Sequence, residues 1–193
     1  MKLERTLVLI KPDGVKRGLI GPIMERYERA GLKVIAMKMV TASRDQAMSH
    51  YPVNEEHMQL MGEKSLKTYV EYGLDPIEYI GTNNPLEIGK MIREWNSEYL
   101  SSGPVVAIVL EGIHAISNVR LLTGNTLPTF ALPGTIRGDF SIDSPALANS
   151  RKRAVINLIH ASGEPEEAER EINHWFTSDE IHTYKRSDED VMF

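Results

Sequence analysis

The chain contains no cysteine. That excludes a disulfide framework and any thiolate metal site, and it suits a reducing compartment. The expected location is the cytoplasm. Long hydrophobic runs are missing as well. No apolar stretch approaches the roughly 18 residues that a membrane helix needs, so no membrane association is expected. The amino-terminal Met-Lys-Leu-Glu-Arg-Thr has no apolar core of the kind a secretory signal requires. Positive charge is in deficit: 22 Lys and Arg stand against 27 Asp and Glu, for a formal net charge of −5. An acidic chain is a poor non-specific partner for nucleic acid, so any bound anion must be met by a local cluster of cations. Phenylalanine is scarce, and none lies between Tyr51 and Ser102.

What is present is ordinary for a globular domain. The chain has 193 residues, 41% hydrophobic and 25% charged, which favours one domain with a core of its own. Thr6–Ile10, Lys33–Val40, Val105–Leu110 and Val155–Ile159 read as strands, the third most clearly. Gly21-Pro22 opens a helix that Gly31 closes, and Ala42 to Tyr51 reads as a short one. Leu86, Met91, Ile92 and Trp95 give an amphipathic helix near 86–100, although most of the stretch from Tyr51 to Leu100 resists assignment. Ala115–Leu122 is helical. Leu127–Gly138 reads as a long ordered loop, and Pro165-Glu166-Glu167 starts a last helix with an acidic first turn. Strands mixed with helices in this order predict an α+β sandwich, a four-stranded, largely antiparallel sheet covered by helices.

Several motifs have bland readings. Gly81 to Lys90 looks like a phosphate loop, but its spacing is wrong and Met91 stands where Ser or Thr would hold magnesium; it reads as a turn into a helix. His50 and His57, seven apart, do not make a zinc pair. His114 reads as a turn residue, and Arg151-Lys152-Arg153 as a solvated face. Pro133 to Phe140 holds Arg137 beside Gly138, an arrangement that lets backbone and guanidinium approach a ligand together. An Arg137–Asp139 pair in a structural loop is the plainer alternative.

The ordered set is less bland than its parts. Lys11-Pro12-Asp13-Gly14-Val15 is followed by Ala42-Ser43, His50-Tyr51, Ser102 to Val106 and Glu111-Gly112. Arg120, Gly124, Thr126, Pro128 and Pro133 to Phe140 come next. Asn157, His160, Ser162, Glu171-Ile172 and Trp175-Phe176 complete it. This order resembles the nucleoside diphosphate kinase family. The resemblance implies a ferredoxin-like α/β sandwich and reversible transfer of the terminal phosphoryl group between nucleoside tri- and diphosphates through a phosphohistidine. It makes His160 the nucleophile, with Glu171 orienting its ring, Ser162 supporting Glu171, and Tyr51 supporting the histidine and the phosphate end. Lys11 is implied at the ribose and the transferred group, Arg120, Thr126 and Arg137 at phosphate oxygens, and Asn157 near the sugar. No protein metal site is implied, because Mg2+ would ride on the nucleotide's phosphates. A homo-oligomer, hexamer or tetramer, is implied too. His174 matches no functional position and reads as a surface residue.

The chain departs from the family pattern in three ways. A single domain over residues 1–193 is expected, with insertions within about 52–101 and about 141–154 that reshape the nucleotide cleft together. The family's base-stacking phenylalanine has no counterpart. After His160, Gly163 replaces an aspartate, which predicts changed turn geometry without loss of activity. Two other readings stand beside the kinase: a nucleotide-binding regulator on the same fold, inactive for want of a base site, and an RNA-binding sheet. The second fits poorly, since VVAIVL carries no aromatic residues.

Overall fold

The computed structural model describes residues 3–51 and 53–192, so Met1 and Lys2 of the amino-terminal reading lie outside it. Four strands form one sheet: β1 (Leu3–Ile10), β2 (Lys33–Thr41), β3 (Pro104–Ile113) and β4 (Ile159–Ala161), in the order β2-β3-β1-β4. Every neighbouring pair is antiparallel. The predicted four-stranded antiparallel sheet is therefore the one found, with β3 and β1 central. Both central strands read as continuous apolar runs because both faces are covered. Val8, Ile10, Val106, Ile108 and Leu110 point one way, onto Ile23 and Tyr27 of α2 (Ile20–Arg29, after the short α1, Pro12–Lys16). Leu7, Leu9, Val105, Ala107 and Val109 point the other way, onto Ala47 of α3 (Arg44–His50) and onto Trp175 and Phe176. β2 is an edge. Its bulge at Val34–Ala36 is met by the carboxy-terminal segment, where His182 N–H donates to Ile35 O (2.8 Å) and Tyr184 O–H to Val34 O (2.7 Å).

The helix expected near 86–100 is α6 (Pro85–Ser101), and the unassigned stretch before it is helical too, as α4 (Glu55–Glu71) and α5 (Pro76–Ile80). Asn54, Asp75 and Asn84 cap the three, each side chain accepting from backbone N–H groups of the first turn. The segment from Gly81 is indeed a turn into a helix, with Gly81 in the left-handed conformation (φ 83°). α4 and α6 cross so closely that a Cβ at Gly62 would stand 1.8 Å from Pro85 O, and one at Gly89 1.9 Å from Met58 O. Only glycine permits that approach.

α7 (Ala115–Thr123) follows β3 as expected. The expected long loop is more regular than predicted, holding a 3-10 turn at Pro128–Phe130 and then α8 (Ile136–Phe140). α9 (Pro145–Ser150) lies against α4 and α5, and Asn149 Nδ2 donates to Ser65 Oγ (2.9 Å), both side chains buried. The two segments read as insertions thus touch each other. The excursion carrying α9 is clipped at its neck, where Arg153 binds Asp143 through both terminal nitrogens (2.6 and 3.0 Å). Arg153 is thereby removed from the solvated basic face, while Arg151 and Lys152 remain on it. α10 (Pro165–Trp175) and the short α11 (Glu189–Met192) complete the fold.

The fourth strand is displaced from its predicted position. Val155–Leu158 is not strand; β4 starts at Ile159. Leu158 adopts φ 67°, and Ile159 N–H donates to Asn157 O (2.7 Å). This is a γ-turn with positive φ, a sparsely allowed conformation for a residue with a side chain. Arg137 Nε, also on Asn157 O (3.1 Å), helps to hold it.

Candidate active site

Backbone pairing sets the position of His160. It sits opposite Leu9 in the β1–β4 ladder, one residue from Lys11's end of β1. α10 then returns over the sheet and brings Glu171 beneath the imidazole. With Glu171 ionised, His160 Nε2–H donates to Glu171 Oε2 (2.8 Å). Ser162 Oγ–H donates to the same oxygen (2.7 Å), and Ser162 Oγ accepts from Leu7 N–H (3.3 Å). Glu171 and Ser162 are both buried. Burial raises the Glu171 carboxyl above the ordinary range, opposed by His50 and the Ser162 hydrogen bond. Burial, with Lys11 and Arg137 adding, holds the His160 imidazolium well below the ordinary histidine range. The ring is therefore neutral at pH 7, with its proton on Nε2 and a lone pair on Nδ1. The predicted Ser162–Glu171–His160 chain is brought together as expected.

His50 was read as half of an unconvincing zinc pair and as a member of the ordered motif set, without a role; the structure places it in the site. Its ring stands edge-on to His160, 4.4 Å between centroids, in buried surroundings. Trp175 Nε1–H donates to His50 Nδ1 (3.2 Å), which fixes the His50 proton on Nε2, an atom with no partner among the described residues. Tyr51 packs edge-on against His50 (4.9 Å), which in turn meets His160; its buried hydroxyl also lacks a partner among the described residues. His174 is not a surface residue. It is half-buried, bonded through Nε2 to Gln46 O (2.9 Å), with its ring 6.4 Å from that of His50. His57 lies apart on α4, whereas His114 is an exposed turn residue as read (φ 50°).

The cationic side is organised by Asn157. Its Oδ1 accepts from Lys11 Nζ (2.9 Å), its Nδ2 donates to Thr126 O (2.9 Å), and its carbonyl accepts from Arg137. Lys11 is positioned by its neighbour, because a residue before proline is held extended (φ −75°, ψ 168°). Burial first, then Arg137, lowers Lys11 to about 7. Arg137 donates to Asn157 O, Gly124 O (2.9 Å) and Ile159 O (2.6 Å). Three of its five N–H groups thus brace the site, and the other two have no partner among the described residues. Its partner is not Asp139, which binds Arg26 (2.5 Å) and Gly134 N–H (2.8 Å). Nor does Gly138 serve a ligand: a Cβ there would lie 2.0 Å from Leu132 O. Thr126 and Arg120 are exposed. Arg120 reaches over Gly163, where a Cβ would stand 3.1 Å from its Nη1 and 2.9 Å from Glu167 Oε2. The aspartate expected by resemblance is thus replaced by a residue small enough to let Arg120 and Glu167 close over the turn.

His50, His160 and Glu171 offer ligand atoms within 4.8 Å of one another. They do not suit a metal. The His50 Nδ1 lone pair already receives the Trp175 N–H, and Glu171 Oε2 holds His160 and Ser162. Mg2+ wants hard oxygens, and the cations gathered here suit phosphates.

A neutral histidine with one nitrogen clamped by Glu171, a lone pair on the other, and the charges of Lys11 and Arg137 acting on it is equipped to accept a phosphoryl group. The family model described as nucleoside diphosphate kinase matches residues 4–72 and 88–181. The chain belongs to the nucleoside diphosphate kinase family. Membership makes it a phosphotransferase, and residues 73–87 are the stretch left between the matched parts. It is 51% identical over 181 residues to a nucleoside diphosphate kinase of Pyrobaculum aerophilum, spanning 94% of this chain and 99% of that one. It is 38% identical to that of Borreliella burgdorferi, spanning 98% and 96%. Solved structures agree. A crystal structure of an NDP kinase from Pyrobaculum aerophilum superposes with a TM-score of 0.92 at 49% identity, covering 94% of this chain and all of that one. A transition-state mimic of the kinase from Borrelia burgdorferi, with bound vanadate and ADP, gives 0.78 at 37% identity, covering 97% and 95%. The ferredoxin-like sandwich expected from the resemblance is the fold found.

Proposed function

We propose that His160 Nδ1 is the nucleophile of a reversible, ping-pong nucleoside diphosphate kinase. The observation that carries this is the His160 Nε2–Glu171 hydrogen bond, itself held by Ser162, because it leaves Nδ1 as the only lone pair on a neutral ring. In the first half-reaction Nδ1 attacks the terminal phosphorus of a nucleoside triphosphate. An N–P bond forms, the bridging P–O bond breaks, and the diphosphate leaves with the electron pair. In the second, a terminal oxygen of another nucleoside diphosphate attacks the same phosphorus, and Nδ1 recovers its lone pair. Glu171 keeps the Nε2 proton in place throughout and stabilises the ring as it takes on positive charge.

The residues around His160 supply position and charge, which is most of what phosphoryl transfer asks. Lys11 and Asn157 are taken as ribose and phosphate contacts. Arg120, Thr126 and the two remaining N–H groups of Arg137 are taken as phosphate donors, and the Tyr51 hydroxyl as a donor at the phosphate end. Mg2+, carried on the nucleotide's phosphates, would neutralise part of their charge.

We take residues 1–193 as one kinase domain with two insertions, located in the cytoplasm. Among the described residues no helix is long and apolar enough to cross a membrane. A homo-oligomer is favoured by the segment after α7, which exposes Phe130 and Leu132; a monomeric sedimentation coefficient at working concentration would rule it out. The central test is intact mass after brief exposure to Mg·ATP. The expected result is one acid-labile phosphoryl group, discharged by GDP and absent in His160→Ala. An unmodified wild type would leave the regulator reading in its place.

A further inference from the structure

Lys11 and Asp13 flank Pro12 at the start of α1, and the Lys11 side chain is buried. A buried ammonium with a carboxylate this near would ordinarily pair with it, because attraction between charges grows as water is excluded. The two are held on other partners instead. Lys11 Nζ donates to Asn157 Oδ1 (2.9 Å), and Asp13 Oδ1 accepts from the Tyr99 O–H of α6. Asp13 Oδ2 is buried and has no partner among the described residues. Tyr99 meets both groups, with different parts of its side chain. Its hydroxyl holds the carboxylate, and Lys11 Nζ stands over its ring, 5.2 Å from the centroid. Burial first, then Asp13, keeps the Tyr99 hydroxyl well above the ordinary tyrosine range, so it remains a donor.

We propose that Tyr99 is a positioning residue for Lys11, which keeps Asp13 from pairing with the ammonium and so keeps the ammonium available to a nucleotide. The inference rests on the kinase reading only in taking a nucleotide as the ligand of Lys11. An ammonium has three protons to give, and Asn157 takes one of them. A paired Asp13 would take another and draw the side chain toward α1. Held by Tyr99, Asp13 acts at a distance: it favours the charged Lys11 without occupying it, against burial and Arg137 of α8. The other titratable groups within its influence are His160 of β4 and His50 of α3, both held neutral by burial.

Tyr99→Phe tests the assignment, since it keeps the ring and removes only the hydroxyl that holds Asp13. Two readouts are needed: titration of the Lys11 side chain in the free protein by NMR with isotope-labelled lysine, and calorimetric binding of Mg·ADP at pH 7. Once released, Asp13 should pair with Lys11. The Lys11 midpoint should rise by roughly one to two pH units, and Mg·ADP should bind about tenfold more weakly, because the pair must be broken. In an Asp13→Asn background the same Tyr99→Phe change should move neither quantity, since there is no carboxylate to release. Loosened packing is the rival explanation, and it would cost the same affinity in both backgrounds. That result, an unmoved midpoint or an unmoved affinity overturns the proposal. Failure of the kinase reading has a separate signature, a wild type that never gains the phosphoryl group at saturating ATP, and the titration of Lys11 does not depend on it.

Discussion

The charge of Lys11 should depend on whether nucleotide is bound. In the free protein its ammonium is buried beside Arg137, and these two influences bring it to about 7. Half of the molecules then carry a neutral Lys11 at pH 7 and about nine-tenths at pH 8. A bound polyphosphate favours the charged form, so the bound Lys11 stays protonated. The sign follows: above pH 7 binding must take up a proton, and affinity should fall as pH rises. The slope is about tenfold, or ~1.4 kcal/mol, per pH unit until the bound form titrates too. Calorimetry of Mg·ADP binding from pH 7 to pH 9, in buffers of contrasting ionisation enthalpy, reads both the slope and the uptake. Lys11→Gln should bind weakly at every pH with neither. A wild-type affinity that is flat over this range, with no proton uptake, would refute the reasoning. It would mean that Asp13, the opposing influence, keeps Lys11 charged before any ligand arrives.

Ser162→Ala removes a donor to Glu171 and strands the Leu7 N–H; about 2–4 kcal/mol of stability should be lost in denaturant titrations. The same change should move the acid limb of kcat upward, since the hydrogen bond now restraining the raised Glu171 carboxyl is gone; an unmoved limb would mean that Glu171 does not need to be ionised. Gly62→Ala must force α4 from α6, and a loss of about 1–3 kcal/mol is expected. If Tm is unchanged, the crossing is looser than the 1.8 Å approach implies.

The central strands could be read from the sequence because Thr6–Ile10 and Val105–Leu110 are apolar on both faces, a pattern that burial alone dictates. Between Tyr51 and Leu100 the stripe of Leu86, Met91, Ile92 and Trp95 gave α6, but α4 and α5 could not be read. The buried positions of α4 are Met58, Gly62, Ser65 and Tyr69. Their spacing is helical, but glycine and serine carry half of it, and a hydrophobicity pattern does not register them. The Ser162–Glu171–His160 chain was legible through its motifs. The role of His50 was not, because the groups it meets, His160 and Trp175, lie more than a hundred residues away, and His57, nearer in sequence, suggested the wrong partnership. The extent of β4 was also out of reach. Val155 and Ile156 are good strand formers, and it is Arg137, from another element, that braces the backbone turned at Leu158.

That turn also settles a question of parity. In an extended strand, side chains three apart point to opposite faces, so Asn157 and His160 would be separated by the sheet. The γ-turn at Leu158 absorbs one step of the alternation and leaves both residues beside Lys11, which Asn157 Oδ1 binds and whose charge acts on His160. It also isolates His160 from whatever happens upstream. A segment of variable length can be spliced in before Asn157 without passing a register error into β4, since the count restarts at the turn. The excursion that carries α9 sits on the side of the turn where added residues leave the nucleophile in phase.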